Sequence, residues 1–272
     1  ASITKHLDLW YDLKVPADPD AVEGFPARLR GMMQKKMERM HPADRQRWDA
    51  HYGPLAASFE KADLGDRAVG EWKYQRYLRD YMKTVTGIDR NMGRLLDFLE
   101  SEDVLENTLV VYTSDQGFFL GEHGFFDKRW MYEESFHTPL LAWLPGIIKT
   151  GARTDALVST LDLTASWLDL AGAPVPAGLD GKSLLPLWRG EAPGLRDAVY
   201  YHYYEDRGAN RVPKHDGIRT ERYKLIHFYE LGEFELYDLK ADPSEMDNLA
   251  GKPEHTGLLR DMQRRLQAKR TK

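Results

Sequence analysis

Asp115 and Gln116 follow directly on the apolar run Leu109-Val-Val-Tyr-Thr113-Ser114, and glycines at 117, 121 and 124 forbid continued regular structure beyond them. Their carboxylate and amide oxygens are the hard donors that Ca²⁺ or Mg²⁺ takes. Lys128, thirteen positions after Asp115, is a mobile cation suited to an oxyanion. His123 carries an imidazole that can protonate a leaving oxygen or orient a neighbouring ligand. These types at this spacing fit a metal-assisted anion site. They also fit plainer accounts: a strand-ending Asp-Gln-Gly turn, a hydrogen-bonded loop histidine, and a Glu122 that pairs with Lys128 or Arg129. Trp130, Met131 and Tyr132 read as packing residues.

The elements that must hold such a loop are legible around it. A helix is expected over 72–100, because Tyr74, Leu78, Tyr81, Val85, Ile88, Met92, Leu95 and Leu99 recur at steps of four and three. Gly87 and Gly93 within it suggest close approach to a neighbour. Strands are expected over 108–114 and 139–144, with the site loop, 115–137, between them. The apolar run predicts that strand 108–114 lies in a sheet with both faces covered, and the carboxyl end of such a strand borders the ligand crevice of an open α/β sheet. Upstream, residues 12–30 read as an irregular connection, and Leu29–Gln46 as a short helix whose Met32, Met33, Met37 and Met40 fill a core.

Downstream, a helix is expected over 158–171, with Thr160 or Asp162 capping its start. The prolines and glycines after it place a subdomain boundary near residue 180. Beyond lie expected short strands over 198–204, 223–229 and 233–239 and a basic helix over 254–272 whose arginines form a solvated face. Alternation splits the run Tyr200-Tyr-His-Tyr-Tyr204 between two faces, Tyr201 and Tyr203 on one, Tyr200, His202 and Tyr204 on the other. Asn210–Thr220, holding Arg211, Lys214, His215 and Arg219 in a turn-rich segment, is the candidate rim for substrate, although Arg219 would equally pair with a carboxylate such as Asp238.

Composition narrows the function classes. With 272 residues and 42% hydrophobic content the chain can bury a sizeable core. A net charge of −5, without a basic stripe, argues against a nucleic-acid partner. No apolar run approaches the roughly 18 residues of a membrane span. Without any cysteine the chain forms no internal disulfide and no thiolate metal site, which leaves the compartment undecided.

The run from Thr113 to Lys128, continued by Met131-Tyr-Glu-Glu134 and Thr138-Pro-Leu140, resembles the second metal-binding motif of the sulfatase family, within the alkaline phosphatase superfamily. Two further stretches extend the likeness: His215-Asp-Gly-Ile-Arg-Thr220 before Arg222-Tyr-Lys-Leu225, and Glu235-Leu-Tyr-Asp-Leu239 followed by Asp242-Pro243 and Asn248-Leu249. The resemblance implies an α/β fold, with part of the sulfatase sheet and its flanking helices in residues 1–180 and a small C-terminal subdomain, an antiparallel sheet with one helix, in 181–272. It implies Asp115 and Gln116 as metal ligands, Lys128 as a sulfate contact, and His215 and Arg219 as substrate contacts in an element common among carbohydrate sulfatases.

The family's nucleophile is a formylglycine made from the Cys or Ser of a Cys/Ser-x-Pro-x-Arg motif, and this sequence contains no such motif. The chain therefore resembles the C-terminal part of a sulfatase, with the nucleophile and the remaining metal ligands expected in an N-terminal part that precedes Ala1 and acts as its partner. A sulfated hexosamine or glycosaminoglycan fragment is the implied substrate, Ca²⁺ or Mg²⁺ the implied cofactor, and a periplasmic, secreted or lysosomal location the family's habit. Two alternatives stand beside it: a related phosphodiesterase or phosphonate monoester hydrolase, which typically carries Asp-His where this chain has Asp115-Gln116, and a noncatalytic binding protein on the same scaffold.

Overall fold

The computed structural model describes residues 31, 35–205 and 212–270. The irregular connection expected over 12–30, with Met32, Met33 and Arg211, lies outside them. The chain divides into two compact units, one drawn from Ala1–Leu99 and Leu120–Phe126, the other from Glu100–Phe119 and Asp127–Lys272.

The first unit is helical. Residues 35–38 are helical and Met37 and Met40 are half-buried. Helix α1, Pro42–Lys61, opens with proline in its first turn and the His41 imidazole accepting from Ala43 N–H at 3.3 Å. Helix α2, Asp66–Ser101, starts earlier than its stripe of apolar residues suggests. The two pack through Phe59 on Trp72, with ring centres 4.4 Å apart, and through the Arg76 guanidinium over the Tyr52 ring at 5.1 Å. Buried Arg76 is held by Asp80 at 2.8 Å. The apolar stripe of α2 departs from expectation: Val85, Ile88 and Leu95 are 40%, 44% and 46% exposed. Nothing among the described residues stands within 4 Å of a side chain added at Gly87 or Gly93, so the close approach inferred for them is not made here.

The second unit begins with β1, Val110–Thr113, and carries the two-residue strands β2, Phe119–Leu120, and β3, Phe126–Asp127, at the unit boundary. A single-turn helix, α3 (Glu133–Phe136), precedes β4 (Leu140–Trp143). β1 and β4 pair antiparallel, Tyr112 opposite Leu141. Here the expectation of two covered faces fails. Among the described residues β1 has one neighbouring strand, and Tyr112 and Leu141 are 37% and 61% exposed. An apolar run states that a strand prefers burial; it does not supply the layers that bury it.

Helix α4, Leu161–Leu170, matches the expected segment, but its start is not capped by a Thr160 hydroxyl. Asp162, wholly buried, takes the Ser159 N–H at 2.7 Å, the Lys182 N–H at 2.8 Å and a two-pronged contact from Arg196 at 2.5 Å on each oxygen. The glycine-rich stretch around residue 180 is thereby fastened to α4, and the short helix α5, Leu185–Trp188, follows.

The C-terminal sheet runs β5 (Ala198–Tyr203), β6 (His215–Thr220), β7 (Tyr223–Phe228), β8 (Glu233–Asp238), each antiparallel to its neighbour. Three of these strands match the expected spans. β6 corrects the reading of Asn210–Thr220 as turn-rich: His215–Thr220 is a strand paired on both sides. One face, with Ala198, Ile218, Leu225 and Leu236, packs on Met262 and Leu266 of α6, Thr256–Arg270. The basic residues of α6 do not form a wholly solvated face, since Arg270 grips buried Asp216 at 2.5 and 2.6 Å and Arg265 reaches Asp197 at 2.7 Å. No helix among the described residues is long and apolar enough to cross a membrane.

Candidate functional site

The other face of the C-terminal sheet packs on the segment that follows Lys128, and this packing shapes the loop. At its entry, the Ser114 hydroxyl donates to the Gln116 carbonyl at 2.7 Å and lies 3.4 Å from the Asp115 carboxylate, which is exposed. The chain then turns so that Gly117 N–H meets the Ser135 carbonyl at 2.8 Å and Phe118 N–H the Glu134 carbonyl at 2.7 Å. A side chain at Gly117 would run into the Glu134 carbonyl oxygen, so glycine is required by close approach.

At the exit, Ser135 acts again: its hydroxyl accepts from Arg129 N–H at 3.0 Å. One residue of α3 thus fastens the limb that leaves Gln116 and the limb that leaves Lys128. The two ends of the loop are brought to a common anchor although eleven residues separate Gln116 from Lys128. Sequence reading missed Ser135, which falls in the gap between the motif stretches Met131–Glu134 and Thr138–Leu140.

Lys128 sits between two residues in left-handed backbone, Asp127 at φ 78° and Arg129 at φ 97°. Each costs on the order of 1–3 kcal/mol and persists only where the surroundings over-determine it. They do so here. Arg129 is paired with Asp127 and stands 3.5 Å from Glu205, while the Tyr201 hydroxyl donates to the Arg129 carbonyl at 3.2 Å. Lys128 itself is half-buried. His123, in the first unit, is also left-handed at φ 53°, with its ring 6.5 Å from and stacked over Phe125. Glu122 accepts from Leu120 N–H at 2.6 Å.

Beyond Arg129 the packing residues behave as their types predict. Met131 is wholly buried, and Trp130 stacks near both Tyr132 and His215. Gly217 of β6 leaves the room that the Met131 sulfur occupies. The charges beneath were not foreseen. Lys224, 0% exposed, donates to the Met131 carbonyl at 2.8 Å and stands 2.6 Å from Glu133 and 2.8 Å from Glu245. Its cross-strand partner Arg219 reaches the other oxygen of Glu133 at 3.3 Å. Two cations opposite one another on a sheet repel, so the carboxylates between them are a condition of this register. Burial pushes the Glu133 carboxyl up, but Lys224 and Arg219 outweigh it and hold the group below its ordinary value. Glu245 goes the other way: burial raises it despite Lys224. The clue in the sequence was Lys224 sharing an alternate face with Ile226 and Phe228, where an unpaired ammonium would be costly.

The substrate contacts expected of the C-terminal sheet change character. His215 is 0% exposed, its Nδ1 facing the Pro213 carbonyl at 2.8 Å and its ring among Trp130, Tyr201, Tyr203 and Phe228. A ring so enclosed offers no surface to a ligand. Arg219, half-buried, is committed to Glu133 and to the Thr220 carbonyl at 3.0 Å; Asp238 is taken by Arg222 at 2.7 Å. Tyr201 and Tyr203 turn toward the loop and Tyr200 and His202 away, as alternation requires.

Among the described residues no three His, Cys, Asp or Glu side chains cluster to hold a metal. Asp115 and Gln116 have the right chemistry for a hard cation but supply only part of the six to eight oxygens that Ca²⁺ takes.

Comparison with known proteins accounts for this arrangement. A profile of the family described as sulfatase matches residues 30–173, and one described as N-sulphoglucosamine sulphohydrolase, C-terminal, matches 121–272. The chain is 45% identical over 249 residues to an N-acetylglucosamine-6-O-sulfatase of Bacteroides thetaiotaomicron, covering 90% of this chain and 44% of that protein. It is 37% identical over 227 residues to arylsulfatase K of Homo sapiens, covering 81% of this chain and 40% of that protein. A solved protein in complex with its substrate, D-glucosamine-2-N,6-O-disulfate, superimposes with a TM-score of 0.88 at 42% identity, over 99% of this chain and 55% of that one. The phosphonate monoester hydrolase of Agrobacterium radiobacter superimposes with a TM-score of 0.66 at 26% identity, over 73% of this chain and 43% of its own. The chain spans about half the length of the relatives it matches, and the two family profiles together cover the loop, Ser135 and the sheet beneath; it belongs to the sulfatase family of the alkaline phosphatase superfamily, as the C-terminal part of such an enzyme.

Proposed function

We propose that this chain forms part of the catalytic apparatus of a metal-dependent sulfatase that hydrolyses a sulfate ester on an amino sugar, a glucosamine 6-sulfate or a glycosaminoglycan fragment bearing one. The observation that carries the reading is the common anchor at Glu134 and Ser135, which fastens the neighbours of Gln116 and of Lys128 to one turn of helix. The substrate class is supported by the relative named for N-acetylglucosamine 6-O-sulfate chemistry and the neighbour solved with a glucosamine disulfate. The end of the sulfatase match at residue 173 supports assigning 1–180 to the catalytic domain and 181–272 to a C-terminal subdomain.

In this reading Asp115 and Gln116 would hold Ca²⁺ or Mg²⁺ together with ligands from outside the described residues, and that site would supply positive charge to polarise the sulfate oxygens. Lys128 aims its ammonium at the same oxygens, where charge must be neutralised before a nucleophile can approach. His123 is the proposed proton carrier for the leaving sugar oxygen. None of these four is a suitable nucleophile, and the formylglycine expected of the family would come from elsewhere in the enzyme. Arg219 contributes at one remove, by holding Glu133 under the loop.

The test is made in the enzyme that carries this chain, with a 6-sulfated glucosamine as substrate and a phosphonate monoester as competitor chemistry. Asp115→Ala should lower metal content and turnover together. Lys128→Ala should leave metal content intact and lower kcat/KM about a hundredfold or more, the usual loss for one donor aimed at transition-state charge. Full metal content in Asp115→Ala, or undiminished turnover in Lys128→Ala, would refute the assignment concerned. Preference for the phosphonate ester would favour the hydrolase reading suggested by the second structural neighbour.

A further inference from the structure

Lys128 lies between two residues in left-handed backbone, and the peptide that follows the second of them, Arg129, is held by a side chain from a distant strand. Arg129, at φ 97°, gives its N–H to Ser135 and receives the Tyr201 hydroxyl on its carbonyl at 3.2 Å. Tyr201 belongs to β5, seventy-two positions further along, so this is a tertiary contact and no consequence of the local turn. Its ring is fixed edge-on to Phe136 with centres 5.4 Å apart and tilted against His215 at 5.7 Å. The next alternate tyrosine joins the same scheme: the Tyr203 hydroxyl donates to Glu205 at 2.5 Å, and Glu205 faces the Arg129 guanidinium. A backbone strained on both sides of a cation, and restrained from outside, is the arrangement expected where one side chain must be aimed.

We propose that Tyr201 is a positioning residue for Lys128: by holding the Arg129 carbonyl it fixes the left-handed Arg129, and with it the adjoining backbone from which the Lys128 side chain is directed at the sulfate. The proposal rests on the reading of Lys128 as the sulfate's cation. Burial raises the pKa of the Tyr201 phenol above its ordinary value, so the hydroxyl is protonated and a donor at neutral pH. Loss of the hydroxyl leaves the ring packing intact and removes only the restraint.

The measurement is a double-mutant cycle in the full enzyme with a 6-sulfated glucosamine: Tyr201→Phe, Lys128→Ala and the pair combined. Tyr201→Phe should lower kcat about tenfold with KM within about twofold, because a misaimed cation chiefly loses its grip on transition-state charge. The combined variant should be no slower than Lys128→Ala alone. A wild-type kcat in Tyr201→Phe, or losses that multiply in the combined variant, would overturn the inference and leave the role of Lys128 standing. A wild-type kcat in Lys128→Ala would instead overturn the underlying reading and this inference with it.

Discussion

Replacing Lys224 by methionine isolates the charge cluster under the loop. The ammonium is 0% exposed and has three partners within 2.8 Å: the Met131 carbonyl, Glu133 and Glu245. Methionine fills much the same volume, so the cavity term is small and the change is almost wholly electrostatic. Breaking a buried pair from one side costs about 3–5 kcal/mol, since a charge is left uncompensated. For a chain of this length that corresponds to a melting temperature lower by on the order of 10 °C. Acid should narrow the gap. The Glu133 carboxyl lies below its ordinary 4.5 because Lys224 and Arg219 outweigh burial, so its stabilising contribution is present above that pH and is lost as pH falls through the folded value. Once the carboxylates are protonated, the variant no longer buries an unpaired charge. Thermal unfolding of both proteins between pH 7 and 4 measures this, and hydrogen exchange at residues 131–136 shows whether the anchor loosens. Lys224→Met/Glu245→Gln, which removes one stranded charge, should recover part of the loss. A loss below about 1 kcal/mol at pH 7, typical of an exposed ion pair, would refute the reasoning.

Gly117→Ala should destabilise by about 1–3 kcal/mol, or displace the loop with a comparable loss of turnover, because the new methyl meets the Glu134 carbonyl; an unchanged melting temperature and unchanged activity would show that the approach is looser. His215→Phe keeps the aromatic packing and removes a ring whose Nε2 is buried without a hydrogen-bond partner among the described residues. Burial lowers the His215 pKa below 6.5, so the folded protein binds that proton less readily than the unfolded chain and stability falls as pH drops below about 6.5. The variant should flatten that fall between pH 7 and 5, leaving the share due to His202 and His227, while KM for substrate stays near the parent value; a raised KM would restore His215 as a direct contact.

Much of the fold was legible because alternation and helical spacing report burial directly. β5, β7 and β8 fall where β-branched and aromatic residues alternate, and α2 where its stripe recurs. β6 was hidden by Asp216 and Gly217, residues depleted in strands, each of which answers a tertiary demand: Asp216 binds Arg270, and Gly217 admits Met131. α1 was hidden by Pro54, although Trp48, Tyr52, Leu55 and Phe59 keep the spacing of one face. Local pattern also names a surface that prefers cover without supplying it, as Val85, Ile88, Tyr112 and Leu141 illustrate.

The site divides along the same line. Asp115, Gln116 and Lys128 stand out because their types and spacing suit the proposed chemistry. Ser135, Tyr201 and Lys224 do not, because what each contributes is a bond to someone else's backbone: the Arg129 N–H, the Arg129 carbonyl and the Met131 carbonyl. Two of the three come from the C-terminal sheet, and His215 and Arg219 on that sheet are turned inward as well. His215 and Arg219, read as part of a substrate rim, therefore pack against the segment beneath the loop. A left-handed Asp127 and Arg129 around Lys128 would relax without that support, so the C-terminal sheet acts on the proposed chemistry through the conformation of three residues, 127–129, and its substitutions should register first in kcat and in the exchange of residues 129–136, before they register in substrate affinity.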